Sequence, residues 1–161
     1  MRKISLLLVL AAALGACKKD NETAPGKTDL LAAKSWRIVS QSSTYSSSSI
    51  NNGTAITSNK YAAKSTCERD NFFKFSSTGT LILDEGESKC DSSDPQKQHG
   101  SWSFNSDQTK LTLNDPSQAI PMGTFDVVSL SATKLELRYS YSYSSGGISA
   151  TQTEDITLAA F

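Results

Sequence analysis

The sequence predicts an all-β fold: an antiparallel, eight-stranded meander closed into a β-barrel and preceded by a short helical turn. Three observations carry that expectation. Apolar residues recur at every second position, the period of a half-buried strand. Turn residues separate these runs at nearly regular intervals, and several turns are too short to join anything but antiparallel neighbours. No long amphipathic helix interrupts the series, so the strands have only one another to pack against, and closure is the simplest way to remove the edges of the sheet.

Taken in order, Thr28-Asp29 ahead of Leu30, Leu31, Ala32, Ala33 and Lys34 reads as a capped helical turn, because a Thr or Asp oxygen can accept from the first free amides. From Ser35 the period becomes two, with Trp36 and Ile38 on one face. The run from Gln41 to Ser49 is nearly all serine, has little to bury, and is expected as a loop or a frayed strand end. Asn51-Asn52-Gly53 is a turn signal, and Thr54 to Ala62 an irregular strand or a loop. Asn71 to Phe75 and Thr80 to Asp84 form a hairpin around Ser76-Ser77-Thr78-Gly79. Residues 85–98 are polar and read as a loop. Gly100 to Phe104 is answered across Asn105-Ser106-Asp107 by Lys110 to Leu113, a second hairpin. After Pro116 and Pro121 come Gly123 to Leu130, Leu135 to Tyr143 and Ser149 to Leu158, joined by Ser131-Ala132-Thr133 and Ser145-Gly146-Gly147.

The N-terminus carries a different message. Arg2 and Lys3 precede an uncharged, mostly apolar stretch from Ile4 to Ala16, the pattern of an export signal and too short to span a bilayer. Leu14-Gly15-Ala16-Cys17 closes that stretch and resembles the lipobox of bacterial lipoproteins, in which the cysteine receives the lipid and becomes the new N-terminus; the bland alternative is an ordinary secretory signal with a cysteine by chance. Lipidation at Cys17 would make the anchor effectively permanent, since each buried methylene adds about 0.8 kcal/mol. Residues 18–26 are polar and read as a tether. In such lipoproteins this points to the cell envelope, at the periplasmic face of the outer membrane or at the cell surface.

Charge excludes other partners. Removing the signal takes Arg2 and Lys3 from the 16 Lys+Arg and nothing from the 16 Asp+Glu, so no basic footprint for nucleic acid or anionic membrane remains. If Cys17 carries lipid, Cys67 and Cys90 remain as a pair in an oxidising compartment, where a disulfide is the default. Two free thiols are an alternative. Zinc is another, poorly served because His99 is the single histidine.

Several local patterns then fall in one order: Lys34-Ser35-Trp36, Cys67-Glu68-Arg69-Asp70-Asn71-Phe72, Phe75 to Gly79, Cys90, Gly100-Ser101-Trp102, Leu111-Thr112-Leu113 and Leu135-Glu136-Leu137. Together they resemble the lipocalin-like domains of bacterial lipoproteins, common in the Bacteroidota, over roughly residues 30–161. The resemblance implies an eight-stranded barrel or half-barrel with a pocket for a small apolar molecule. The chain departs from better-known lipocalins in Lys-Ser-Trp where they have Gly-x-Trp, and in its serine-rich insert from Ser42 to Ser58, so no ligand carries over. The organisation expected is a signal peptide at 1–16, a lipidated cysteine and tether at 17–29, and the barrel at 30–161.

Chemistry is sparse. His99 lies in a polar loop before a glycine, and Asp84, Glu85 and Glu87 in a turn-like segment, where solvated side chains are expected. There is no phosphate-binding glycine loop, zinc motif or calcium loop. A non-enzymatic protein without a cofactor is expected. In the row Leu135, Leu137, Tyr139, Tyr141, Tyr143 the tyrosines share the parity of the leucines, so Tyr139, Tyr141 and Tyr143, with Trp36, are candidate pocket-wall residues for a small hydrophobic ligand. Against this, the outer tyrosines could be a solvent-facing strand end or cross-strand packing pairs. The alternative function is a structural or interaction module with an envelope protein partner.

Overall fold

Alternation at Phe73 and Phe75, Leu81 and Leu83, Leu111 and Leu113, and Leu135 and Leu137 sends one side chain in two to a common inner face, and all eight are buried. The computed structural model describes residues 24–115 and 117–161. Its strands are β1 (Ser35–Ser47), β2 (Ile56–Asn59), β3 (Phe72–Phe75), β4 (Thr80–Asp84), β5 (Lys97–Phe104), β6 (Lys110–Asn114), β7 (Gly123–Leu130), β8 (Lys134–Ser145) and β9 (Ile148–Ala160). Every pairing is antiparallel. From β3 to β9 each strand pairs with the next, and β9 returns to β1, which also pairs with β3. The result is a closed eight-stranded barrel, with β2 an extra strand on the outer part of β1.

Helix α1 (Lys27–Ala32) plugs one end. Leu31 is fully buried, and the Trp36 indole nitrogen donates to the Leu31 carbonyl at 2.8 Å, so the first strand holds the plug it follows. Lys27 Nζ donates to the Gln108 carbonyl at 2.7 Å, which places ordered structure slightly before residue 30. Above α1 the interior is solid: Trp36, Phe73, Leu81, Leu111, Phe125, Leu135 and Leu158 fill it.

The serine run is a strand and not the loop or frayed end that its composition suggests. β1 continues to Ser47 because its backbone has partners on both edges. It pairs with β9 from Trp36↔Ala160 to Ser47↔Ala150, and with β2 from Ser42↔Asn59 to Tyr45↔Ile56. Backbone ladders need no apolar side chains, only partners. Hydroxyls bridge the same strands: Thr44 to Thr57 at 2.9 Å, and on the neighbouring pair Ser142 to Thr151 at 2.8 Å.

A bulge between Ile38 and Ser40 changes the parity of β1. Trp36 and Ile38 face inward below it, Gln41, Ser43 and Ser47 face inward above it, and Val39 is left 43 % exposed. Strand lengths are unequal as well. β1 and β9 have 13 residues and β8 has 12, against 4 in β3 and 5 in both β4 and β6. The long strands therefore rise past the rest as one wall of the mouth.

Two further differences from the sequence reading are seen. β5 starts at Lys97 inside the expected 85–98 loop, and a short helix α2 (Thr66–Arg69) precedes β3, whereas the stretch 54–62, expected as an irregular strand or a loop, holds the four-residue β2.

Trp36→Ala removes both the core volume and the hydrogen bond to α1. It should cost about 3–5 kcal/mol, read as a lower urea midpoint at unchanged slope. A midpoint equal to the parent's would contradict this account of the plug.

Candidate functional site

The open end of the barrel is capped by residues 60–71, anchored at both ends. Tyr61 N donates to the Gln41 carbonyl at 3.0 Å. Ser65 caps α2: its amide donates to Glu68 Oε2 at 2.8 Å, its hydroxyl donates to the same oxygen at 2.7 Å, and the Glu68 amide donates back to Ser65 Oγ at 3.3 Å. The Ser65 hydroxyl, then its amide, hold the Glu68 carboxyl below the ordinary glutamate range. The Arg69 guanidinium lies 5.1 Å from the Tyr61 ring centroid and donates to the Ala62 carbonyl.

Cys67 in α2 is disulfide-bonded to Cys90, which ties the polar loop after β4 to the cap; this excludes the free-thiol and zinc alternatives for the pair. Closing a loop of this length adds roughly 3 kcal/mol in the chain-entropy account. Asp70 Oδ2 accepts from the amides of Glu87 and Ser88 at 3.1 and 2.9 Å. Gly86 is needed directly before them: its φ is +70°, and a Cβ there would meet the Asp70 carbonyl oxygen at 2.5 Å. With its amide nitrogen facing them, Asn71 donates to the carbonyls of Cys67 and Glu85 at 2.9 Å each.

The opposite lip is the β6–β7 connection, shaped by the buried Asp115. Its carboxylate accepts from Ser117 N at 3.0 Å, Ser117 Oγ at 2.6 Å and Ile120 N at 3.1 Å, which seats Ile120 in the core and leaves Gln118 and Ala119 at the opening.

Two adjoining cavities lie between these lips and share Lys64, Glu68, Gln118 and Ala119. The first, about 230 Å³, has Ile38, Phe73 and Leu83 among its lining residues, with Glu85, Asn71 and Gln98 around them. The second, about 270 Å³, is lined by Gln41 and Glu154 from the strands, Lys60 and Ala63 from the cap, and Pro121 from the connection. Gln41 and Glu154 are each only 7 % exposed. Gln41 Oε1 and Glu154 Oε2 are buried and accept no hydrogen bond from the described residues. Leaving such an acceptor unmatched costs about 1–3 kcal/mol even when neutral.

The four wall residues proposed from sequence do not form one wall. Trp36 pairs with Ala160, whereas Tyr139, Tyr141 and Tyr143 pair with Glu154, Gln152 and Ala150, so roughly 20 Å of strand separates the tryptophan from the first tyrosine. Trp36 is floor. Tyr139 packs on the core beside Phe125 and over Gly123, where a Cβ would lie 3.2 Å from its ring. Tyr141 and Tyr143 keep the leucines' parity but stand where β8 has outrun the barrel; they are 56 % and 46 % exposed and stack on each other at 6.1 Å. A hydrogen bond with Tyr45 raises the pKa of Tyr143 above the usual tyrosine value. His99 is exposed on β5 opposite Ile82, in a strand and not a loop. Cys17 lies outside the described residues.

Sequence reasoning missed Gln41, Asp115 and Glu154. No motif marks them, and the bulge that turns Gln41 inward cannot be read from alternation alone. Among the described residues, no group of three or more His, Cys, Asp or Glu could hold a metal ion, and no helix is long and apolar enough to cross a membrane. A scan against protein-family models finds no match, and neither does a search of curated proteins.

The lowered Glu68 pKa sets a sign for acid. Ionised Glu68 stabilises the cap above its unfolded value, about pH 4.3, and this is lost as pH falls through the lower folded value. In Ser65→Ala the Glu68 carboxyl, followed by NMR, should titrate nearer the ordinary range, with about 1 kcal/mol of cap stability lost. An unmoved titration would contradict the capping geometry.

Proposed function

We propose that this chain is a lipid-anchored envelope lipoprotein whose lipocalin-like barrel binds a small molecule with an apolar body at its mouth. The observation that carries the binding reading is the cavity over Ile38, Phe73 and Leu83, roofed by a cap that a disulfide fastens to the neighbouring loop. Its volume of about 230 Å³ suits a ligand smaller than drug-sized compounds, whose sites start at roughly 300 Å³. Because side chains occupy the barrel below, the ligand sits above the core, where it gains apolar contact on one side and polar contact on the other. Binding of this kind needs no covalent step. Support for the anchor lies in the residues themselves: Arg2 and Lys3, the apolar stretch, and Leu14-Gly15-Ala16-Cys17.

One observation favours the second reading, an envelope interaction module. The stacked Tyr141 and Tyr143 and the exposed Ile148 share the end of the long β8–β9 hairpin, apolar surface of the kind protein partners cover.

Native mass spectrometry of the protein purified from its own envelope, before and after organic extraction, tests the binder. A reproducible small mass that extraction removes is the expected result; its absence with the disulfide intact would favour the module. Cys17→Ala should move the protein from the membrane to the soluble fraction, and retention at the membrane would remove the anchor from the proposal.

A further inference from the structure

The binding reading leaves the polar end of the ligand undefined, and the inference that follows rests on that reading. Gln41 and Glu154 are diagonal neighbours on the inner face of β1 and β9, since Gln41 pairs with Ile156 and Ser43 with Glu154. Both are more than nine-tenths buried, and both line the second mouth cavity. Glu154 Oε1 accepts from Gln152 Nε2 at 3.2 Å, and that amide also reaches Ser43 Oγ at 3.4 Å. The carboxylate is therefore held by one oxygen, while its other oxygen and Gln41 Oε1 accept nothing from the described residues.

Two buried acceptors without donors, one on an acidic side chain, call for a group with several N–H bonds and a positive charge. The protein's own cations do not supply it. Lys60 and Lys64 line the same cavity, but among the described residues the ion pairs involve other acids: Asp84, Asp126, Glu136 and Asp155. A metal ion would need more oxygen ligands than two side chains offer, and no such group is present among the described residues. An ammonium needs only the acceptors.

We propose that Gln41 and Glu154 form an ammonium-recognition site and that the ligand of the mouth is a small amphipathic primary amine. Its charged head is held by Glu154 and Gln41. Its apolar body passes Gln118 and Ala119, common to both cavities, toward the wall of Ile38, Phe73 and Leu83.

The test compares butylamine, charged at neutral pH, with 1-butanol, a neutral probe of nearly the same size, by titration calorimetry on the intact protein. Butylamine should bind at least tenfold more tightly than butanol. Glu154→Gln, nearly isosteric, should weaken the amine tenfold or more and leave butanol unchanged. Gln41→Leu removes an unmatched acceptor, so it should fold at least as stably as the parent while weakening the amine several-fold; it keeps the test decisive if Glu154→Gln fails to fold. Equal affinity for the two probes, or amine binding unaltered by Gln41→Leu, would overturn ammonium recognition and leave binding at the mouth standing. If neither probe bound at millimolar concentration, the mouth-binding reading itself would fall, and this inference with it.

Discussion

The structure depends on one ladder, the pairing of β1 with β9 from Trp36↔Ala160 to Ser47↔Ala150. Without it the strands, in the order β2-β1-β3 and on to β9, make an open sheet whose β9 edge is free, a form prone to pairing with other chains. With it the sheet closes, Trp36 is carried under the apolar interior, and α1 is drawn onto the floor through the Trp36–Leu31 hydrogen bond. Each ladder bond contributes modestly, about 0.5–1.5 kcal/mol net, but together they fix where every inward side chain of β1 and β9 points.

Closure and the bulge at Ile38–Ser40 together divide the barrel into two chemistries. Below the bulge the inward residues are Trp36 and Ile38, buried with Leu158, Phe73 and Leu135 in the apolar core. Above it they are Gln41, Ser43 and Ser47, facing Glu154 and Ala150, and the interior turns polar. A polar interior tolerates few unmatched groups. The cap over residues 60–71 and the Asp115 connection cover it, and they leave Gln41 and Glu154 unsatisfied beneath the opening. The functional proposals grow from this division: apolar contact at the boundary between the halves, and charge recognition just above it.

The hairpins were readable because both of their strands alternate within a few residues of one another, as Phe73 and Phe75 do with Leu81 and Leu83. The disulfide was legible from count, once Cys17 is read as the lipid-bearing cysteine and Cys67 and Cys90 are left as a pair. The serine run was not, because what orders it lies about a hundred residues away in β9, and composition carries no trace of a distant partner. For the same reason the tyrosine row was only half readable: period two gave the inward parity of Tyr139 correctly, but the height at which the other strands stop, leaving Tyr141 and Tyr143 in solvent, is set by the lengths of β3 to β7. Gln41 and Glu154 were illegible, since a one-residue bulge reverses parity without a sequence signature.

Hydrogen exchange along β1 tests the closing ladder most directly. The amides of Ser42 to Tyr45, flanked by β2 on one edge and β9 on the other, should show protection comparable to that of Gln152 to Asp155, their partners in β9. Exchange of these amides at the rate of an unstructured loop would mean that β1 ends near the bulge, and the closed barrel with its polar mouth would have to be abandoned.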